Sequence, residues 1–132
     1  MTVKGTFAVT LTPQAPEEGD KDSPIGRMLL EKQFQGDLEA TSRGQMLMVG
    51  TAQQGSAGYV AIERVTGTLT GRSGSFVLQH SGIMNRGAAE LTLVVVPDSG
   101  TGQLQELQGS MEIITDGAAH EYAGKFILPG EV

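Results

Sequence analysis

Between Tyr59 and Val96 apolar and polar residues alternate in three runs, and pairing those runs as hairpins gathers the apolar positions on one face. A first turn at Gly71-Arg72-Ser73-Gly74 sets Leu69 opposite Phe76, Gly67 opposite Leu78, Val65 opposite His80 and Glu63 opposite Gly82. A second turn at Asn85-Arg86, ahead of Gly87, continues that face with Phe76 opposite Val95, Leu78 opposite Leu93, His80 opposite Leu91 and Gly82 opposite Ala89. Ser75, Gln79, Ser81, Glu90 and Thr92 take the other face. A slip of one residue in either hairpin would bury that polar set, so the choice of face is well specified. It leaves two ionisable side chains, Glu63 and His80, on the apolar face.

The same period of two recurs on either side. Val3 to Leu11 places Val3, Phe7, Val9 and Leu11 on one face, Lys4, Thr6 and Thr10 on the other, and is expected to stop at Pro13. Gln14 to Pro24 has no apolar period and reads as a solvated loop; its acidic run lacks the ligand spacing of a calcium loop. Gly26 to Phe34 alternates again, with Lys32 on the side of Met28, Leu30 and Phe34. A bend at Gly36-Asp37 leads to a strand over Leu38 to Thr51, expected to be irregular near Arg43-Gly44, and then to a small polar loop over Ala52 to Gly58. Pro97 to Gly102 is a turn-rich connection, and a last hairpin is expected about Asp116-Gly117, pairing Ile113 with His120, Met111 with Tyr122, Gly109 with Gly124 and Leu107 with Phe126. That register turns His120 and Tyr122 inward. No helical spacing lasts beyond two turns, and turn signals at intervals of roughly 8–12 residues give about eight strands.

Sequential hairpins without long crossovers favour a closed barrel over a two-sheet sandwich. The expected fold is therefore all-β, a single-domain eight-stranded antiparallel up-and-down β-barrel over residues 1–132. Such a barrel has an interior filled by side chains or just able to hold one small ligand. Four Phe, two Tyr, no Trp and 19 Gly leave room for a cavity.

Charge and composition narrow the partners. A net charge of −6 with nine scattered basic residues opposes nucleic acid and anionic membrane surfaces, both of which draw on clustered Lys and Arg. The chain has no Cys, which removes disulfides, thiolate metal sites and a thiol nucleophile. No basic leader precedes an apolar run, and no apolar stretch nears the roughly 18 residues that span a bilayer, so a soluble cytoplasmic protein is expected.

The inward polar group is Lys32, Glu63, His80, His120 and Tyr122. An ionised side chain buried alone costs several kcal/mol, so each ionisable member needs a partner, water or a place near the barrel mouth. Glu63 and His80 are diagonal neighbours across two strands, roughly 7–8 Å apart at Cα, which lets carboxylate and imidazole meet. Such a pair acts as a general base or proton relay when a ligand can reach it, and as a structural hydrogen bond when none can. The two His and Glu63 lack metal-ligand spacing, Ser81 points away from His80, and Asp98-Ser99-Gly100 fits a β-connection better than a peptidase loop. The Gly-rich loops lack the Lys and following helix of a phosphate cradle, so neither a metal nor a cofactor is expected.

Five stretches carry a family likeness: Gly26-Arg27-Met28; Lys32-x-Phe34-x-Gly36-Asp37-Leu38; Gly55-Ser56-Ala57-Gly58-Tyr59-Val60-Ala61-x-Glu63; Gly74-Ser75-Phe76-x-Leu78-Gln79-His80; and Pro97-x-Ser99-Gly100-Thr101-Gly102. Together they span nearly the whole chain and resemble a family of small bacterial proteins classed as a domain of unknown function. That family looks like the allene-oxide-cyclase type of eight-stranded barrel, lipocalin-like in shape. The resemblance implies a fold and transfers no activity.

The leading functional expectation is a barrel that binds a small apolar molecule, with Lys32, Glu63, Phe76, Leu78, His80, His120 and Tyr122 lining the site. One alternative is an isomerase or cyclase in which Glu63 and His80 move a proton. The other is a filled barrel that works as a homodimer or larger oligomer through Val60, Ile62, Val77, Val94 and Val96 on the outer face.

Overall fold

The computed structural model describes residues 1–16, 19, 22–114 and 120–130. Eight strands run in chain order: β1 Thr2–Gln14, β2 Ile25–Gly36, β3 Leu38–Gly50, β4 Ala57–Leu69, β5 Arg72–Asn85, β6 Ala88–Val95, β7 Gln108–Ile114 and β8 His120–Ile127. Each pairs antiparallel with the next, and β8 returns to β1 to close an up-and-down barrel. Burial alternates along the strands as the apolar pattern requires, clearest in β3, where Leu38, Ala40, Ser42 and Gly44 are buried and the residues between them exposed. Among the described residues no helix is long and apolar enough to cross a membrane.

The turns are tighter than the glycine-rich stretches suggest. β4 and β5 are joined by Thr70-Gly71, at φ 47° and 85°, so Leu69 faces Arg72, Val65 faces Phe76, Glu63 faces Leu78 and Ala61 faces His80. β5 and β6 are joined by Arg86-Gly87, at φ 49° and 91°, which sets Leu78 opposite Val95 and His80 opposite Leu93. Both are two-residue turns with positive φ at each central position, the geometry that matches the twist of a hairpin. In β7 and β8 the register also moves by two, pairing Met111 with Gly124 and Ile113 with Tyr122; the expected turn at Asp116-Gly117 lies outside the described residues. All three shifts are even, so every side chain keeps its expected face.

Two strand ends also differ from expectation. β1 continues through Pro13, which pairs with Met28, to Gln14. Beyond Phe7, β8 provides β1 with no partner among the described residues, and proline is tolerated where one side of a strand is an edge. β3 runs unbroken through Arg43-Gly44 and ends at Gly50.

The barrel is filled at the end that holds the Gly36-Asp37 bend and the Thr70-Gly71 turn, here the lower end. Phe34, Leu38, Val65, Leu69, Phe76, Leu78, Tyr122 and Phe126 pack there, joined by Leu104 and Leu107 from the β6–β7 connection. That connection lies along β5: Thr101 N–H donates to Ser75 O at 2.8 Å, Ser75 N–H donates to Thr101 Oγ1 at 3.0 Å and Val77 N–H donates to Ser99 Oγ at 3.0 Å. It buries Ser75 and half-buries Val77 and Val96, three positions the alternation alone assigns to an open outer face. Val60, Ile62 and Val94 remain exposed as expected, beside Leu47 and Ile83.

Candidate functional site

Lys32 on β2, Ser42 on β3, Glu63 on β4 and His80 on β5 reach one level of the barrel interior, immediately above the packed lower half. Cross-strand pairing brings them there: Lys32 lies opposite Ser42, Gly44 opposite Glu63, and His80 opposite Ala61, one diagonal step from Glu63. Gly44 is required by its neighbour, since a Cβ at that position would stand 2.6 Å from the Glu63 Cα.

The Glu63 carboxylate is fully buried and satisfied on both oxygens. Oε1 accepts from Lys32 Nζ at 3.1 Å and meets His80 Nε2 at 2.5 Å, while Oε2 accepts from the Ser42 hydroxyl. Burial by itself pushes the Glu63 carboxyl up, but the His80 hydrogen bond, the Lys32 charge and the Ser42 hydroxyl together outweigh it and hold the group below its ordinary value. Glu63 is therefore ionised near neutral pH, and its charge is matched by Lys32. The Lys32 ammonium also lies 5.1 Å from the centre of the Phe7 ring and 5.7 Å from that of Phe34, both within cation–π range.

With an ionised carboxylate at Nε2, His80 donates there, and its second nitrogen points the other way. Nδ1 stands 3.5 Å from the hydroxyl of Tyr59, at the long limit of a hydrogen bond. Tyr59 lies on the same face of β4 as Glu63, four residues earlier, and its ring occupies space left by Gly82: a Cβ at that glycine would come 2.3 Å from Tyr59 Cε1. Burial, with a smaller contribution from the Glu63 charge, raises the Tyr59 hydroxyl above its ordinary value and keeps it protonated.

Above Tyr59 the barrel is open. A pocket of about 370 Å³ is lined by Leu11, Met28, Met46, Met48, Met84 and Leu91, with Tyr59 and Gly82 among its walls. Its apolar side chains come from six different strands, and the four methionines make it adaptable in shape. A larger hollow of about 680 Å³, which shares Met28 and Met46 with that pocket, is lined by Arg43, Leu47, Val60, Ile62 and Arg64 and also by Gly44, Ala61 and His80.

Of the residues expected at the site, Lys32, Glu63 and His80 are brought together. Phe76 and Leu78 are not at the pocket: they are buried in the packed lower half. Tyr122 is inward but serves the lower end, where its hydroxyl accepts from Leu38 N–H at 2.9 Å and donates to Gln35 O at 3.0 Å. His120 shares the inward face of β8 yet is exposed at the strand's end and stacks on Phe7, ring centres 5.2 Å apart. Ser42 and Tyr59 are the members that the sequence reading missed. Alternation places both inward, Ser42 through its pairing with Lys32 and Tyr59 through its even spacing from Glu63, and that signal was sufficient to include them.

Comparison with known proteins places the chain in a family. Residues 3–126 match the model of the protein family of unknown function DUF3224, and the chain belongs to that family. It is similar to a crystal structure of a DUF3224 protein of unknown function from Shewanella oneidensis MR-1, with 48% identity over 99% of this chain and 98% of that one, and a TM-score of 0.92. No curated protein matches the chain.

Proposed function

We propose that this member of the DUF3224 family holds a small, mostly apolar molecule in the upper half of its barrel, with Tyr59 and the His80–Glu63–Lys32 cluster beneath it setting the ligand's orientation. The observation that carries the reading is the apolar pocket of about 370 Å³ with Tyr59 in its wall, the Tyr59 hydroxyl lying beside His80 of the buried cluster. Small-molecule sites combine these two parts: apolar walls that supply affinity and a few polar groups that fix orientation, in a volume of roughly 300–1,000 Å³. A buried ion pair is poor value as a stabiliser, because well-packed apolar residues of similar size usually serve as well or better. Its place directly below an open pocket, rather than deep in the filled half, supports a role toward a ligand.

A second reading, an isomerase or cyclase, is favoured by one further feature. Tyr59, His80 and Glu63 form a chain from pocket to carboxylate, along which a proton can pass from ligand to Tyr59 and on to His80 Nδ1. Self-association is a third role, for which the exposed Leu47, Val60, Ile62 and Ile83 on adjacent outer positions provide an apolar surface.

The test is native mass spectrometry of the protein purified from its own host, beside a Leu91→Trp variant whose larger side chain occupies the pocket. A small apolar molecule retained by the parent and depleted from the variant is expected. A ligand-free protein in both samples that also fails to bind apolar fluorophores would overturn the proposal.

A further inference from the structure

We infer that the molecule held in the upper barrel is uncharged and carries a carbonyl oxygen that accepts a hydrogen bond from the Tyr59 hydroxyl. This rests on the binding role proposed above and names the class of ligand.

The charge argument comes from where the ions are. Lys32 is the cation of the buried cluster; it is 3.1 Å from Glu63, is packed beside Phe7 and Phe34, and does not line the pocket. Together Lys32 and Glu63 sum to zero. A carboxylate or sulfonate lowered to the floor would meet Tyr59 and apolar walls, and an anion desolvated without a partner costs several kcal/mol. A cationic ligand fares no better at Glu63, whose oxygens both already have donors, and Glu90, the acidic residue in the pocket's lining, is exposed to solvent on β6.

The oxygen argument comes from Tyr59. Its hydroxyl has His80 Nδ1 at 3.5 Å, too long for a well-made bond, and Tyr59 forms part of the wall of a pocket whose other lining residues are Leu, Ile, Met, Ala, Gly and the exposed Glu90. A half-buried donor of this kind is completed by an acceptor on the ligand. Because His80 donates from Nε2 to Glu63, its Nδ1 is an acceptor, and at 3.5 Å it holds the Tyr59 hydroxyl only weakly, so a ligand oxygen can compete for that proton. A protonated phenol, as the direction of the Tyr59 shift requires, is the donor this needs.

Three probes of similar size separate the possibilities: a neutral ketone (propionyl-dimethylaminonaphthalene), a neutral arene without oxygen (phenylnaphthylamine) and its anionic counterpart (anilinonaphthalene sulfonate). Each is titrated by fluorescence into the full chain and into Tyr59→Phe. Both neutral probes are expected to bind, with the anion at least about tenfold weaker than its neutral parent. Tyr59→Phe is expected to weaken the ketone about three- to tenfold, the range of one neutral hydrogen bond, and to leave the arene within twofold. Emission of the bound ketone supplies a readout independent of affinity, and is expected to shift to the blue when the donor is removed. Equal losses for ketone and arene, an unmoved emission, or an anion that binds as well as its parent would overturn the inference while the pocket stands. Failure of all three probes to bind would overturn both the inference and the binding role beneath it.

Discussion

Replacing Glu63 by glutamine keeps the shape of the buried side chain and removes its charge, which isolates what the cluster does for stability. The carboxylate serves three donors, Lys32, His80 and Ser42, and none of those residues is more than 8% exposed. Removing one member of a buried pair leaves the other uncompensated, at a cost of about 3–5 kcal/mol. The Phe7 and Phe34 rings beside Lys32 soften that loss, since a cation–π contact gives back roughly 0.5–2 kcal/mol, so the low end, about 3 kcal/mol, is expected. Against a total stability of about 5–15 kcal/mol this is large enough to read by urea unfolding, as a lower midpoint at unchanged slope. The effect has a pH signature. Because the folded-state carboxyl is held below its unfolded value, its contribution is fully present above the ordinary glutamate range and is lost as pH falls through the lower folded value. The gap between parent and Glu63→Gln is therefore widest near neutrality and closes in acid. Combining it with Lys32→Met, which removes the stranded cation, is expected to recover most of the loss. A Glu63→Gln protein within about 1 kcal/mol of the parent at pH 7, or strict additivity with Lys32→Met, would refute the account of the cluster as a coupled ion pair.

Two further changes probe the frame around the site. Thr70→Asn is expected to raise the melting temperature by a few degrees, because Thr70 holds φ 47° in a β-branched residue, a conformation that costs about 1–2 kcal/mol and that asparagine tolerates better; an unchanged or lower melting temperature would count against strain at that turn. Tyr122→Phe is expected to cost about 1–3 kcal/mol in denaturant unfolding, by leaving the buried Leu38 N–H without its acceptor, while probe binding in the upper pocket stays within twofold; weakened binding would mean that the two halves of the barrel are coupled.

The face that each side chain takes was legible in the chain itself. Strand side chains repeat every two residues, so the apolar alternation from Val3 to Phe126 determined an all-β fold and an interior containing Lys32, Glu63 and His80. It also tolerated error. The β4–β5 turn closes at Thr70-Gly71 rather than at Gly71 to Gly74, which moves each partner by four residues, yet Glu63 and His80 stay one diagonal step apart in either register, on opposite sides of the direct pair. Thr-Gly is a weaker turn signal than a run with glycine at both ends, because a β-branched residue rarely adopts positive φ. Height along the barrel was not legible, since alternation says in or out and nothing of level. Level follows from register summed around eight strands and from the connection that carries Leu104 and Leu107 into the lower end. That packing is what buries Phe76 and Leu78 away from any ligand, ties Tyr122 to the Gly36-Asp37 bend, exposes His120 at a strand end and sets Tyr59 between an open apolar pocket and a buried imidazole.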